Sequence, residues 1–383
     1  MLLIKNGKIW TMGPAGILDD TDILLDNGKI VELGKNLIIS DAEIINASGL
    51  NVFPGFVDAH SHIGGFKVDA MEDDLNEMTN SCMPQLDARY GIDPQSFSFQ
   101  EAIRAGITTS AIAPGSGNVI CGTVCAIKSA GKSLDERIIK NPVALKAAMG
   151  VNPKGVYGPK GQLPMSRLGI AQVLREFFLK TRDYEKEKYA HETDHTKPFK
   201  YDPGLENGLK VLHKEIPLKV HSYQHDMLTM IKIAKEFDFN LTLDHALGAG
   251  DFADEIVESK AAVIYGPIGC CIFPGELCKI DIDCLVTLDQ RGVCCAIMTD
   301  GPCLFPEYMV VQAGEVVRFG GNHYDVMKMI TINPAKIIGC DQRIGSLEPG
   351  KDADLVIYQK TPALDTDAQT CYTIIDGKIV YQR

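Results

Sequence analysis

Four short apolar runs in this chain each end in a residue able to bind a metal ion, and that repeated ending restricts the fold more than any other feature. VFPGFVDAHSH (Val52 to His62) closes on His60 and His62, and KVHSY (Lys219 to Tyr223) carries His221. LTLDH (Leu241 to His245) ends in His245, and CCAIMTD (Cys294 to Asp300) ends in Asp300. Side chains alternate along a strand, so His60 and His62 face one side and both imidazoles reach one cation. Any one of these histidines is also compatible with a hydrogen-bonded core residue at a strand end. Together, at the C-terminal ends of strand-like runs, they point to a (β/α)8 TIM-like barrel, the α/β fold that builds its chemistry there.

PGFVDAHSH, the single His after each of two later strands, Thr299-Asp300 and the tail GSLEPGKDADLVIY resemble the amidohydrolase superfamily over nearly the whole chain. AGITTSAIAPGSGNVICGT, ALKAAMGVNPKGVYG and TINPAK are similar to the branch grouped with imidazolonepropionase and related amidohydrolases. The resemblance implies that N- and C-terminal strands join into a small β-sandwich beside the barrel. It identifies a branch without identifying a substrate.

At 383 residues the chain suits one barrel, which alone takes roughly 250 residues, plus a small second domain. Residues 1–52 and 344–383 read as the sandwich, with turns at Asn6-Gly7, Asn27-Gly28, Gly34 and Asp376-Gly377. Residues 53–343 read as the barrel domain, because strand-like and helical runs alternate there and imply a parallel sheet. Barrel strands are expected at Val52 to His60, Ile107 to Ala113, Thr123 to Lys128, Val143 to Met149, Leu218 to Tyr223, Asn240 to His245, Ala261 to Pro267 and Val293 to Asp300. Helices are expected at Met227 to Phe237, Asp281 to Arg291 and Tyr324 to Ile330, and a charged helix running into a solvated loop across Leu174 to Tyr201.

A net charge of −12 disfavours nucleic acid and anionic membrane surfaces as partners. The start MLLIKNGKIW lacks the apolar core of a signal peptide, and no stretch approaches a membrane span, so a cytoplasmic protein acting on a small molecule is expected. A homo-oligomer is compatible with this reading. Most of the twelve cysteines, among them Cys121, Cys125, Cys270, Cys271, Cys294 and Cys295, sit in apolar runs and read as reduced, buried thiols.

His60, His62, His221, His245 and Asp300 offer more ligands than one divalent ion such as zinc needs, which leaves one ion or two open. Two ions need a bridge, and by the resemblance Lys146 in ALKAAMG matches the lysine that relatives carboxylate. A lysine at a strand edge is the alternative, although one inside an apolar strand is unfavourable unless neutralised. The expected reaction is hydrolysis of an amide or cyclic amide in a small amino-acid-derived or peptide-like substrate by metal-activated water. Asp300 acts as general base and then acid, and His245 either ligates or holds the tetrahedral intermediate. Tyr157, Arg167 and Tyr223 are candidate substrate contacts, Arg167 because a guanidinium suits a carboxylate; a solvated surface position is the alternative for each. The loop Pro114 to Gly122 reads either as an anion-binding nest or as a tight turn.

Deaminases of the superfamily place a Glu three residues after the strand-five His, where this chain has Gln224, and relatives of the branch often carry a His where it has Gly301. The competing readings are therefore an aminohydrolase and a non-catalytic scaffold of the same fold. HETDH (His191 to His195) matches the H-E-x-x-H pattern of zinc proteases, but polar and charged neighbours and Pro198 argue against a buried helix there.

Overall fold

The computed structural model describes residues 1–67, 71–269, 275 and 278–383. Cys270 and Cys271 lie outside them; the other ten cysteines are free thiols. Eight strands form one sheet: β1 (Phe56–Ser61), β2 (Ile107–Ile112), β3 (Ile120–Lys128), β4 (Ile138–Ala148), β5 (Leu218–Ser222), β6 (Leu241–His245), β7 (Ala262–Tyr265) and β8 (Cys295–Ile297). They neighbour one another in chain order. β1 and β8 share no ladder, yet Val57 and Ile297 donate backbone hydrogen bonds to the adjacent carbonyls of Ile330 and Met329, and the His62 amide donates to Gly301 O at 2.7 Å. The Asp58 carboxylate also accepts from the Thr299 hydroxyl at 2.5 Å. These links bring the sheet to a nearly closed barrel.

The expected parallel sheet is corrected at β3, which runs antiparallel to both β2 and β4. The cause is the connecting lengths: residues 113–119 and 129–137 hold no helix beyond the single turn Leu134–Arg137, and a parallel return needs a crossover of a dozen residues or more. The remaining neighbours are parallel, with helices Asp226–Phe237, Ala253–Ser259 and Asp283–Gln290 filling the later connections. Their apolar faces, including Met230, Ile233, Leu285 and Leu288, share one core with Leu218, Val220, Leu243 and Val263.

The first expected strand is also corrected, because it divides between two sheets. Asn51–Pro54 joins the terminal strands and Phe56–Ser61 opens the barrel. Gly55 makes the hand-off: a Cβ there would stand 2.1 Å from the Thr108 hydroxyl, so only glycine allows the approach. Leu2–Trp10, Ile17–Asp26, Lys29–Gly34, Glu43–Asn46, Asn51–Pro54, Leu355–Tyr358, Thr370–Ile375 and Lys378–Gln382 form the second eight-stranded sheet. Asn27-Gly28 and Asp376-Gly377 are two-residue hairpin turns with positive φ at both positions, as their residues favour. Asn6-Gly7 is instead an irregularity within the first strand, where pairing to Ile17–Asp26 shifts register. Among the described residues no helix is long and apolar enough to cross a membrane.

The tail residues Asp352 and Asp354 anchor this sheet to the barrel. Lys128 at the end of β3 is buried and lies 2.8 Å from Asp352, 3.0 Å from Asp354 and 2.5 Å from Asp376. Burial works against the ammonium, but Asp354 and Asp352 outweigh it and raise the Lys128 pKa. Asp352 also receives Lys29 and Arg343, each at 2.7 Å. Removing one partner from such a cluster leaves buried charge uncompensated. Lys128→Met is therefore expected to destabilise the protein by about 3–5 kcal/mol, read as a lower urea midpoint at unchanged slope; a loss below about 1 kcal/mol would contradict the anchoring role.

Candidate metal centre

The strand ends converge as the alternation requires. His60 and His62 lie with ring centroids 5.1 Å apart, His60 and His245 at 5.0 Å, and His221 and His245 at 4.1 Å. Asp300 Oδ1 is 3.4 Å from His60 Nε2 and 3.3 Å from His62 Nε2. Nitrogen or oxygen atoms of His60, His245 and Asp300 all lie within 4.8 Å of one another, a group that could hold a divalent ion. All four imidazoles are buried.

Backbone strain helps to aim two of these groups. Asp244 and His245 are consecutive, so strand alternation would send them to opposite faces. The His245 backbone is left-handed, with φ 66°, and Asp300 has φ 52°. Such conformations are unfavourable for residues other than glycine and persist where the surroundings impose them, commonly at functional sites. With this turn, Asp244 and His245 both reach His60.

Hydrogen bonds behind the rings fix their orientation. Nδ1 of His60 meets Asp244 Oδ2 at 2.5 Å, Nδ1 of His62 meets the Ala113 carbonyl at 2.8 Å, and Nδ1 of His245 meets the Gly266 carbonyl at 3.0 Å. Each Nδ1 is therefore the donor, and each Nε2 lone pair faces inward, the arrangement that prepares an imidazole for a metal. His245 Nε2 and His221 Nδ1 are buried with no hydrogen-bond partner. A buried polar atom left unpartnered is unfavourable, and a bound cation would relieve both, so the residues fit a metal.

The electrostatics agree. Burial holds the pKa values of His60, His221 and His245 below the ordinary range, His245 at about 3, which keeps the imidazoles neutral and able to ligate. Burial pushes the Asp300 carboxyl upward, but the neighbouring His245, His60 and His62 outweigh it and hold its pKa well below the ordinary carboxylate range. Lys146 is fully buried on β4, its amine 3.4 Å from His60 Nε2 and 4.0 Å from Asp244, and burial lowers its pKa.

Of the expected substrate contacts, Tyr223 lines the open cavity of about 360 Å³ above these ligands, its ring 4.8 Å from that of His221. Tyr157 is buried and donates to Asn118 Oδ1 at 2.5 Å. The Arg167 guanidinium is held by the buried Asp226 carboxylate, Nε to Oδ1 at 2.6 Å and Nη2 to Oδ2 at 3.2 Å. In the Pro114–Gly122 loop both glycine amides before Asn118 are already bonded, Gly115 N to Leu75 O and Gly117 N to Asn76 Oδ1, which favours the tight turn over the nest. The missing His at Gly301 has a steric reason, since a Cβ there would meet Ile63 Cγ2 at 2.9 Å. HETDH does not form a shared helix face, because its helix, Arg167–Thr193, ends before His195 and Glu192 is exposed.

Reading the sequence missed Asp244 and Lys219, which are buried and 2.8 Å apart. The signal was present: Lys219 stands two residues before His221, on the same strand face, and a charged residue in an apolar strand demands a partner.

A solved structure of an amidohydrolase from Thermotoga maritima MSB8 is 38% identical, with a TM-score of 0.95, and the match covers 100% of both chains. A family model, the amidohydrolase family, matches residues 268–380. Amidohydrolase tasK of Hapsidospora irregularis is 26% identical over 365 residues, 87% of this chain and 36% of that protein. An imidazolonepropionase of Picrophilus torridus is 27% identical over 186 residues, 46% of this chain and 45% of its own length. The chain thus spans less than half the length of these curated relatives. It belongs to the amidohydrolase superfamily, in the branch grouped with imidazolonepropionase.

Asp244 orients the His60 ring, so Asp244→Asn is expected to weaken metal binding about 10–100-fold in a chelator competition, as outer ligands of metal sites do. His191→Ala and His195→Ala should leave bound metal unchanged in the same titration; loss of an equivalent in either would reinstate the HETDH site.

Proposed function

We propose that this protein is a metal-dependent amidohydrolase that cleaves a carbon–nitrogen bond in an amide or cyclic amide of a small amino-acid-derived or peptide-like compound. The observation that supports this most is the pair of orphaned nitrogens, His245 Nε2 and His221 Nδ1, beside an ionised Asp300. His60, His62, His221, His245 and Asp300 would hold zinc, and a bound divalent ion supplies a nucleophilic water near neutral pH and polarises a carbonyl. Asp300 accepts the proton of that water and returns it to the leaving nitrogen. His245 keeps its Nδ1 proton on Gly266 O, so its inward nitrogen serves as a ligand or steadies developing charge. Tyr223 would stand against the substrate, whereas Tyr157 and Arg167, the other expected substrate contacts, are bonded to Asn118 and Asp226.

We further infer that Lys146 would serve two ions as a carbamate ligand, its neutral amine adding to carbon dioxide and releasing one proton. Burial supports this by favouring the uncharged amine, and the amine already stands beside His60 Nε2. The deaminase reading is weaker, because a neutral Gln224 cannot move the proton that a Glu would. The terminal strands, with their own core of Ile4, Ile23, Val52, Leu355 and Ile374, are read as the small sandwich flanking the barrel domain, 53–343.

Lys146→Ala separates one ion from two. Elemental analysis of zinc-replete protein should show the loss of about one equivalent, with most turnover lost and partly restored by added short carboxylic acids. Unchanged metal content in this variant would exclude the bridge.

A further inference from the structure

Amino-acid-derived amides differ in whether a free carboxylate sits near the scissile bond, and the cavity bears on that choice. Beyond the metal-centre groups its lining is uncharged, with Asn76, Ser116 and Asn152 as polar members and Phe66, Met78 and Val156 as apolar ones. Phe66 stacks on His62 at 4.6 Å and 21°, giving the cavity a flat aromatic wall beside the ligands. Among the described residues no lysine or arginine lines it. The undescribed positions 68–70, 270–274 and 276–277 carry two charges in sequence, Asp69 and Glu276, both acidic.

The nearby cations are already matched. Arg167 is held by Asp226, and Lys67, next to Phe66, lies 3.1 Å from Glu72, 3.6 Å from Asp74 and 3.7 Å from Asp93. In the glycine-rich loop the Gly115 and Gly117 amides are bound to Leu75 O and Asn76 Oδ1, and Asn76 in turn donates to Asp73 at 2.8 Å. The carboxylate facing the substrate position is Asp300. An anionic group enclosed here would lose hydration beside Asp300, and among the described lining residues no side-chain cation would replace the water.

We propose that the part of the substrate enclosed beside the scissile bond is uncharged, a planar cyclic or substituted amide without a free carboxylate, selected by neutral hydrogen bonding and aromatic contact. This rests on the metal-dependent hydrolase reading and narrows it. Discrimination follows from the missing counter-charge rather than from size.

Two probes of one shape test it: benzohydroxamate and 3-carboxybenzohydroxamate, titrated calorimetrically into the zinc-replete protein. Benzohydroxamate should bind more tightly by about tenfold or more at low salt, because the ring carboxylate of the other probe would be desolvated with no side-chain cation in the described lining to pair with it. Val156→Lys, which adds a cation to the lining, should narrow that gap by tightening the carboxylate probe. Equal or tighter binding of the carboxylate probe to the unaltered protein would overturn the inference while leaving the hydrolase reading intact. Failure of both probes to bind would show that no accessible metal exists, and both claims would fall together.

Discussion

The barrel mouth concentrates four buried imidazoles, two buried lysines and two ionised aspartates, and that arrangement is tenable only if each polar atom meets a partner. Most do. Asp244 answers His60 and Lys219, and backbone carbonyls answer the Nδ1 protons of His62 and His245. His221 Nδ1 and His245 Nε2 are buried without a hydrogen-bond partner, and Lys219 meets Asp244 as an ion pair. A fold that satisfies the backs of its rings and leaves their fronts unanswered is organised for a cation, and the left-handed backbones of His245 and Asp300 are consistent with that purpose.

Distant parts of the chain support this geometry. Asp58, two residues before His60, is buried and raised by that burial to about 6, yet it ties β1 to Thr299, one residue before Asp300. The first and last ligands are thereby held in register across the one seam of the barrel without a strand ladder. Behind β3, Lys128 secures the terminal sheet through three carboxylates, so the acidic run KDAD of the tail has a structural cause.

Much of this was readable from the residues. Period-two alternation put His60 and His62 on one face, and apolar runs ending in His located β5 and β6 within a residue or two. What escaped had specific reasons. The antiparallel β3 was hidden because its residues look like any buried strand, although the lengths of its two connections excluded a helical crossover. The break at Gly55 depends on a contact with Thr108 far along the chain, which no local pattern carries. His245 required a backbone conformation that alternation cannot anticipate, and Asp244 was overlooked because it stood next to the residue that drew attention. Arg167 read as a partner for a substrate carboxylate; Asp226, which holds it, follows the next ligand strand and meets it only in the folded chain.

The central claim is the place where a metal binds. Crystals soaked in zinc and measured on both sides of its absorption edge would test it most directly. An anomalous peak about 2.0–2.2 Å from His245 Nε2 and Asp300, with His60 in the same shell, is the predicted result. A fully occupied peak at His191 and His195 with none at the barrel mouth would contradict the account.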